Sequence, residues 1–272
     1  MTAVSTFISL YVLKPAKPNF PLLSEQITSE WLQTLLLSKL GLTCYTIKEL
    51  TITAPKNEEQ GMTSKIAFIK ITWSGSGDEF ESLPKSIVVK CTSRDADLGL
   101  RVLFRLSKLA EREAGFLKLN GSSKDKEQDI LSPILYFYGI IEQTQDFIIV
   151  MEDIRDRDSN LKPGKQGQTK ISDIKKILKM QAKTHANYMG RTAQFEACEF
   201  APKPTDKSQQ FISTVVKKSW PRFKSWAREM GLDVNAVESC GDEIVAKGSK
   251  WCDVCSKGPL TLVHGDSHCE NL

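Results

Sequence analysis

The stretch that decides the fold is Ser86-Ile-Val-Val-Lys-Cys91, a run of β-branched residues that leads into a lysine. Short apolar runs of this composition predict a buried β-strand. A lysine at the end of such a strand is unusual, because an unpaired buried ammonium costs several kcal/mol. Lys90 therefore needs an anionic partner close to the strand.

A helix predicted over residues 97–119 supplies a candidate for that partner. On a helical wheel, Glu113 falls inside the apolar stripe of this helix, whereas Glu111 points elsewhere. We therefore predict a Lys90–Glu113 pair. The alternative places Lys90 at an exposed strand end and Glu113 on the rim of the helix. The stripe consists of Val102, Leu106, Leu109, Phe116 and Leu117.

Outward from this strand, the first half of the chain reads mostly as sheet. A helix capped by Thr28 or Ser29 and ended by Gly41 comes first. The loop Gly61-Met-Thr-Ser64 either covers phosphates through its backbone N–H groups or is an ordinary hairpin connection. Alternation and β-branching predict four further strands at Tyr45–Thr53, Lys65–Trp73, Ile134–Ile140 and Phe147–Met151.

The second half reads mostly as helix. From Glu152 the composition becomes polar, which marks the best position for a boundary between two lobes. Helices are predicted over 171–189, 208–230 with an interruption at Pro221, and 234–251. His185 lies on the apolar face of the first of these, where a structural histidine is the expected reading. That face is formed by Ile174, Ile177, Leu178, Ala182 and Met189.

The closing stretch combines a carboxylate and a carboxamide at a spacing that phosphoryl transfer uses. A short strand, Leu260–Val263, leads into His264-Gly-Asp266, and Asn271 follows. In kinases such an aspartate accepts the proton of the attacking hydroxyl and such an asparagine binds Mg²⁺. The alternative for His-Gly-Asp alone is a simple turn.

The residues after the strand Phe147–Met151 are candidates for binding a nucleotide base. ATP adenine is usually bound by backbone groups at the hinge between two lobes. That hinge would lie at Met151, Glu152, Asp153 and Ile154. The alternative is a strand that ends at charged residues without further role.

A zinc site competes with this interpretation. Cys252-Asp-Val-Cys255 is followed by His264 and His268, and these four side chains could form a tetrahedral site on paper. The sequence has no second Cys-x-x-Cys, and His264 cannot easily serve both zinc and a phosphoryl-transfer loop.

Composition sets broad limits. A chain of 272 residues has room for one large domain or two lobes, and a net charge of +4 without a basic block gives no indication of nucleic acid. No apolar stretch approaches the ~20 residues of a membrane span. Seven scattered cysteines favour reduced thiols in the cytoplasm. Residues 7–13 are weakly apolar but lack the basic flank and cleavage site of a secretory signal.

Taken together, these segments resemble the kinase-like phosphotransferases of the aminoglycoside phosphotransferase and choline kinase superfamily. Within it they are most similar to the ecdysteroid kinase-like (CHK kinase-like) group. The resemblance extends over residues 28–272, and Val263-His-Gly-Asp266 with Asn271 is its most specific part. The other matching segments are Ile27–Leu32, Leu83–Lys90, Glu111–Phe116, Ile148–Ile154, Pro163–Gln166 and Lys183–Tyr188.

The resemblance implies an α+β, two-lobed protein-kinase-like fold. Its β-rich N-lobe would span 28–152 and its helical C-lobe 153–272, after an extension, 1–27, whose role the sequence does not define. It also implies ATP and Mg²⁺ as donor, and a hydroxyl of a small molecule as acceptor. Asp266 would be the catalytic base and Asn271 a Mg²⁺ ligand, with Lys90 binding phosphates and Glu113 as its partner.

The chain departs from the family pattern in two places. The segment Met62-Thr-Ser64 does not match the family's nucleotide-covering loop. The family also places a second metal-binding aspartate after the catalytic loop, and the chain ends before it. We therefore expect a C-lobe truncated after that loop, and the alternative function is an inactive pseudokinase or a binding or scaffold protein.

Overall fold

The computed structural model describes residues 18–55, 64–93, 107–121, 132–156, 170–190, 200–201 and 207–265. The described residues belong to two compact units, one within residues 1–168 and one within 169–267. The first contains a five-stranded antiparallel sheet, and the second is mostly helical. The protein is therefore α+β, as predicted at this level.

The sheet has the strand order β1-β2-β3-β5-β4, and every neighbouring pair is antiparallel. The predicted strand ends agree with the observed ones to within one residue. The predicted strand at Ser86 is the central one, because it pairs with both β2 and β5. The strands are β1 (Thr46–Thr53), β2 (Ser64–Ser74), β3 (Ser86–Thr92), β4 (Leu135–Ile141) and β5 (Asp146–Glu152).

One face of the sheet is covered by helix α1 (Ser29–Leu40). The Thr28 hydroxyl accepts a hydrogen bond from the Trp31 amide at 3.2 Å and caps the helix, and Gly41 ends it at φ 72°. Leu32 and Leu36 are fully buried in the main core. The sheet contributes Ile69, Ile71, Ile87, Val89, Ile148 and Val150 to this core.

The opposite face is covered over β4 and β5 by helix α2 (Leu109–Gly121). Ala110, Ala114 and Leu117 form a second buried cluster with Phe147 and Ile149 of β5. The predicted start of this helix at residue 97 lies outside the described residues.

Strand β3 carries different chemistry on its two faces. Ile87, Val89 and Cys91 are buried toward α1, while Val88 and Lys90 are half-buried on the face that α2 shares. Burial raises the pKa of the Cys91 thiol to about 12. Adjacent residues of one strand thus belong to a dry core and to a partly open surface.

Residues 18–27, predicted as part of an extension, pack on the first unit. The Phe20 ring lies edge-on to Phe137 with the centroids 5.9 Å apart, and Ile27 is buried. A Cβ at Gly139 would lie 2.9 Å from the Phe20 ring, so the close approach of this segment requires glycine.

The second unit contains α3 (Ile171–Tyr188), α4 (Lys207–Glu229) and α5 (Asn235–Cys255). The interruption predicted in α4 at Pro221 is wrong, because the helix continues through that residue. The Trp220 indole packs against Gly241 of α5 and donates to Asp242 at 2.5 Å. Lys224 reaches the same carboxylate at 2.9 Å.

A further prediction for this unit is wrong. Residues 260–263 do not form a strand. They are held by the Gly190 amide, which donates to the Leu260 carbonyl at 2.9 Å, and by the Thr261 hydroxyl, which donates to the His185 carbonyl at 2.6 Å. The predicted apolar face of α3 is also largely exposed, since Ile174, Leu178 and Met189 are 44%, 57% and 49% accessible. Helical periodicity identifies side chains that share a face but not what covers them.

Candidate functional site

The site centres on an ion pair between the sheet and α2. The Lys90 ammonium donates to Glu113 Oε2 at 2.6 Å, and the two side chains are 23% and 34% exposed. The pair predicted from the sequence is thus formed in the structure. Its distance is that of a strong charge-assisted hydrogen bond.

The register of the sheet places Lys90 among apolar neighbours. Its Cα partners are Ile66 on β2 and Ile149 on β5, and Ile149 is fully buried. An ammonium carries three N–H donors, and Glu113 takes one of them. Because the side chain is partly exposed, a lysine fixed in this way can still contact an anion approaching from solvent.

An apolar surface continues from Lys90 along the same face of the sheet. Phe68 and Met151 are the Cα partners of Val88, which precedes Lys90 by two residues. We call Ile66, Phe68, Val88 and Met151 the apolar shelf, and all four are half-buried. Met151 was predicted to be in the site. The other three were not, although period-two spacing from Lys90 identifies Val88.

The last residue of β5 is hydrogen-bonded to the residue that precedes β4. Glu152 Oε2 accepts from the Ile134 amide at 2.9 Å, and the Glu152 amide donates to the Ile134 carbonyl at the same distance. Ile154 begins a short 3₁₀ turn, Ile154–Asp156. Of the four predicted hinge residues, Met151 is itself part of the shelf, and the other three follow it directly in the chain.

Asp153 is a buried structural carboxylate and is 3% exposed. It accepts from the Ser86 hydroxyl at 2.7 Å and from the guanidinium of Arg155 at 2.7 and 2.5 Å. Burial alone would raise the pKa of Asp153, but these hydrogen bonds outweigh it and the pKa is lowered. The side chain of Asp153 therefore ties the segment after β5 to the start of β3.

Arg155 is a further site residue that was not predicted from the sequence. Its guanidinium carbon lies 4.1 Å from the centroid of the Phe68 ring, over the shelf. An arginine two residues after an aspartate is a common pattern, so the sequence alone does not identify Arg155 as a site residue. The hydrogen bonds that Arg155 donates to the Asp153 carboxylate raise the pKa of Arg155.

The closing loop is described only as far as Gly265, which has φ 81°. Asp266, Asn271 and His268 lie outside the described residues. The same holds for residues 61–63 of the predicted phosphate-covering loop and for the side chains of Cys252 and Cys255.

The remaining predictions concern zinc, His185 and the membrane. Of the four proposed zinc ligands, only the side chain of His264 lies within the described residues. The described part of the chain contains no group of three metal-binding side chains. His185 is half-buried, and its described contact is through the backbone carbonyl. None of the helices within the described ranges combines the length and apolar character needed to cross a bilayer.

No protein-family model matches the chain, and no curated protein matches it either. The family resemblance therefore stays a prediction.

Proposed function

We propose that the protein is an ATP-dependent phosphotransferase of the kinase-like fold, acting on a hydroxyl of a small molecule. The observation that carries this proposal is the 2.6 Å contact between Lys90 on the third strand and Glu113 on the next described helix. Protein kinases use a lysine of their third strand, paired with a glutamate of the next helix, to hold the phosphates of ATP.

The surroundings of Lys90 suit a nucleotide. The apolar shelf offers a surface for a flat base, and the partly exposed ammonium offers a cation for phosphate oxygens. The backbone of residues 151–154, which starts at the shelf residue Met151, would bind the edge of the base. A surface that is apolar at one end and cationic at the other matches the base and the phosphates of one molecule.

Catalysis would use the closing loop. The acceptor oxygen forms a bond to the γ-phosphorus while the bond to the bridging oxygen of ADP breaks, and Asp266 takes the hydroxyl proton. An oxygen donor such as that of Asn271 is the type that Mg²⁺ prefers, and Mg²⁺ would neutralise phosphate charge when bound. Lys90 and Glu113 position the donor and carry out no covalent step.

Nucleotide titration tests the proposal. The purified full chain should bind ATP, and more tightly with Mg²⁺. Lys90→Met should weaken binding about tenfold or more, as expected for the loss of a charged contact of about 1.5–3 kcal/mol. Lys48→Met is the matched control, because Lys48 is an exposed lysine of edge strand β1.

The outcomes separate the candidate functions. Absence of ATP binding, or equal losses in the Lys90 and Lys48 variants, would contradict the proposal. Mg²⁺-dependent ATP binding without phosphorylation of any hydroxyl substrate would assign the alternative, a nucleotide-binding pseudokinase.

A further inference from the structure

Arg155 presents a planar cation on the apolar shelf. The guanidinium lies over the ring of Phe68 at 4.1 Å, which is stacking distance for a cation–π contact. The Arg155 side chain is 44% exposed, so part of it is open to solvent although its guanidinium contacts the aromatic ring and Asp153. No base ring fits between the two at this distance.

The position of Arg155 is fixed by a buried partner. Its Nε and Nη2 atoms donate to the two carboxylate oxygens of Asp153, whose side chain is only 4% exposed. Asp153 is held in turn by the Ser86 hydroxyl. Displacing the guanidinium would leave a buried carboxylate without its counter-charge, which is strongly unfavourable. A ligand on the shelf therefore meets Arg155 in place.

The spacing along the strand fits a nucleotide. Phe68 is the Cα partner of Val88, and Val88 precedes Lys90 by two residues on the same face. Two residues of a β-strand span about 7 Å. A flat group stacked on Arg155 would therefore lie about 7 Å along β3 from the lysine that would contact the phosphates.

We propose that Arg155 is a specificity residue that stacks on the base of the bound nucleotide. This inference rests on the proposed function, since it assumes that Lys90 binds the phosphates of the same ligand. Guanidinium planes stack on nucleobases and read the ring face of the base. The contact would therefore raise the affinity for a ligand that carries a base above the affinity for a polyphosphate without one.

Comparing ATP with inorganic tripolyphosphate isolates this contact, because both carry the phosphates and only ATP carries a base. Arg155→Gln should weaken ATP binding about tenfold and change tripolyphosphate binding less than twofold. Asp153→Asn combined with Arg155→Gln should give the same pattern. This double variant removes both charges of the pair, so that no buried carboxylate is left without a counter-charge. Arg222→Gln, at an exposed arginine of α4, is the control and should change neither affinity.

Each result bears on a different claim. Unchanged ATP affinity in both Arg155 variants, or equal losses for the two ligands, would overturn the stacking role while leaving the proposed function intact. If the wild-type chain binds neither ligand, the proposed function fails and the inference fails with it. Thermal unfolding of each variant confirms that the affinities are those of folded protein.

Discussion

Lys90 and Glu113 are 23 residues apart in sequence, yet the lysine ammonium and the glutamate Oε2 lie 2.6 Å apart. The strand places the lysine on the face of the sheet that α2 covers, and the helix turns the glutamate toward it. Both side chains keep some exposure to solvent. The pair is therefore suited to orienting a cation for an incoming anion more than to stabilising the core.

Replacing Glu113 tests this orienting role. Glu113→Gln should weaken MgATP binding severalfold, because the lysine loses the partner that holds it toward the shelf. The free energy of unfolding should change by less than about 1 kcal/mol, since the pair is partly solvated. Isothermal titration and urea unfolding measure the two quantities.

Glu111→Gln is the matched control on the same helix, where the carboxylate lies 3.5 Å from Lys108. It should leave ATP affinity unchanged. A loss of unfolding free energy in Glu113→Gln without any change in ATP affinity would show that the pair is structural only.

Alanine substitutions at Asp266 and at Lys90 should have different effects on phosphorylation. Asp266→Ala should abolish phosphorylation of the acceptor, because the variant lacks the carboxylate that we propose as the acceptor of the hydroxyl proton. Lys90→Ala should mainly weaken it, by about ten- to a thousandfold, since positioning is lost and the base remains. Rates of ADP formation by the two variants measure both effects. Retained turnover in the Asp266 variant would contradict the assignment.

Asp153 should make stability depend on pH. Its pKa is lowered in the folded state, so its stabilisation is present above pH 4 and is lost as the pH falls through the folded pKa. Asp153→Asn should therefore cost about 2 kcal/mol at pH 7. The cost should be smaller below pH 4, because the carboxyl of the unfolded chain then takes up a proton before that of the folded protein does. Urea unfolding at pH 7 and pH 3 measures this difference.

Asp173→Asn serves as the comparison, because Asp173 is half-exposed and lies 3.9 Å from Lys176. Its effect should stay below about 0.5 kcal/mol. If the Asp153 variant differs from wild type by the same amount at both pH values, the carboxylate is not the source of the stabilisation.

Two glycines of α5 should respond oppositely to alanine. A Cβ at Gly241 would lie 2.3 Å from the Trp220 indole, which Asp242 also holds, so Gly241→Ala should destabilise the α4–α5 pair by about 1–3 kcal/mol. At Gly248 the nearest atom is 3.6 Å away, and alanine should stabilise the helix by about 0.5–1 kcal/mol. Thermal unfolding followed by circular dichroism compares them. Equal shifts would contradict the packing argument.

The sheet was predictable because its signals are local. Alternation and β-branching predict the five strands. Because burying Lys90 without a partner is costly, the sequence also predicts Glu113 as that partner. The same reasoning limited the cap to Thr28 or Ser29 and identified Gly41 as a helix end, since both features depend on a few neighbouring backbone groups.

Long-range contacts were not predictable in the same way. Arg155 acquires its place from Asp153, Ser86 and Phe68, which are brought together only by the folded sheet. The segment 260–263 has a strand-like composition but is held by Gly190 and by the carbonyl of His185 instead of by a neighbouring strand. The exposed apolar face of α3 likewise depends on what packs near it.

The alternation of β3 has a consequence for how this protein can vary. Because side chains of a strand change sides at every residue, inserting or deleting one residue before Lys90 would send the ammonium into the dry core and bring Cys91 or Val89 to the open face. A substitution at Val88 changes that side chain and leaves every other residue of the strand on its own face. The length of this strand is therefore under stricter constraint than the identity of most of its residues.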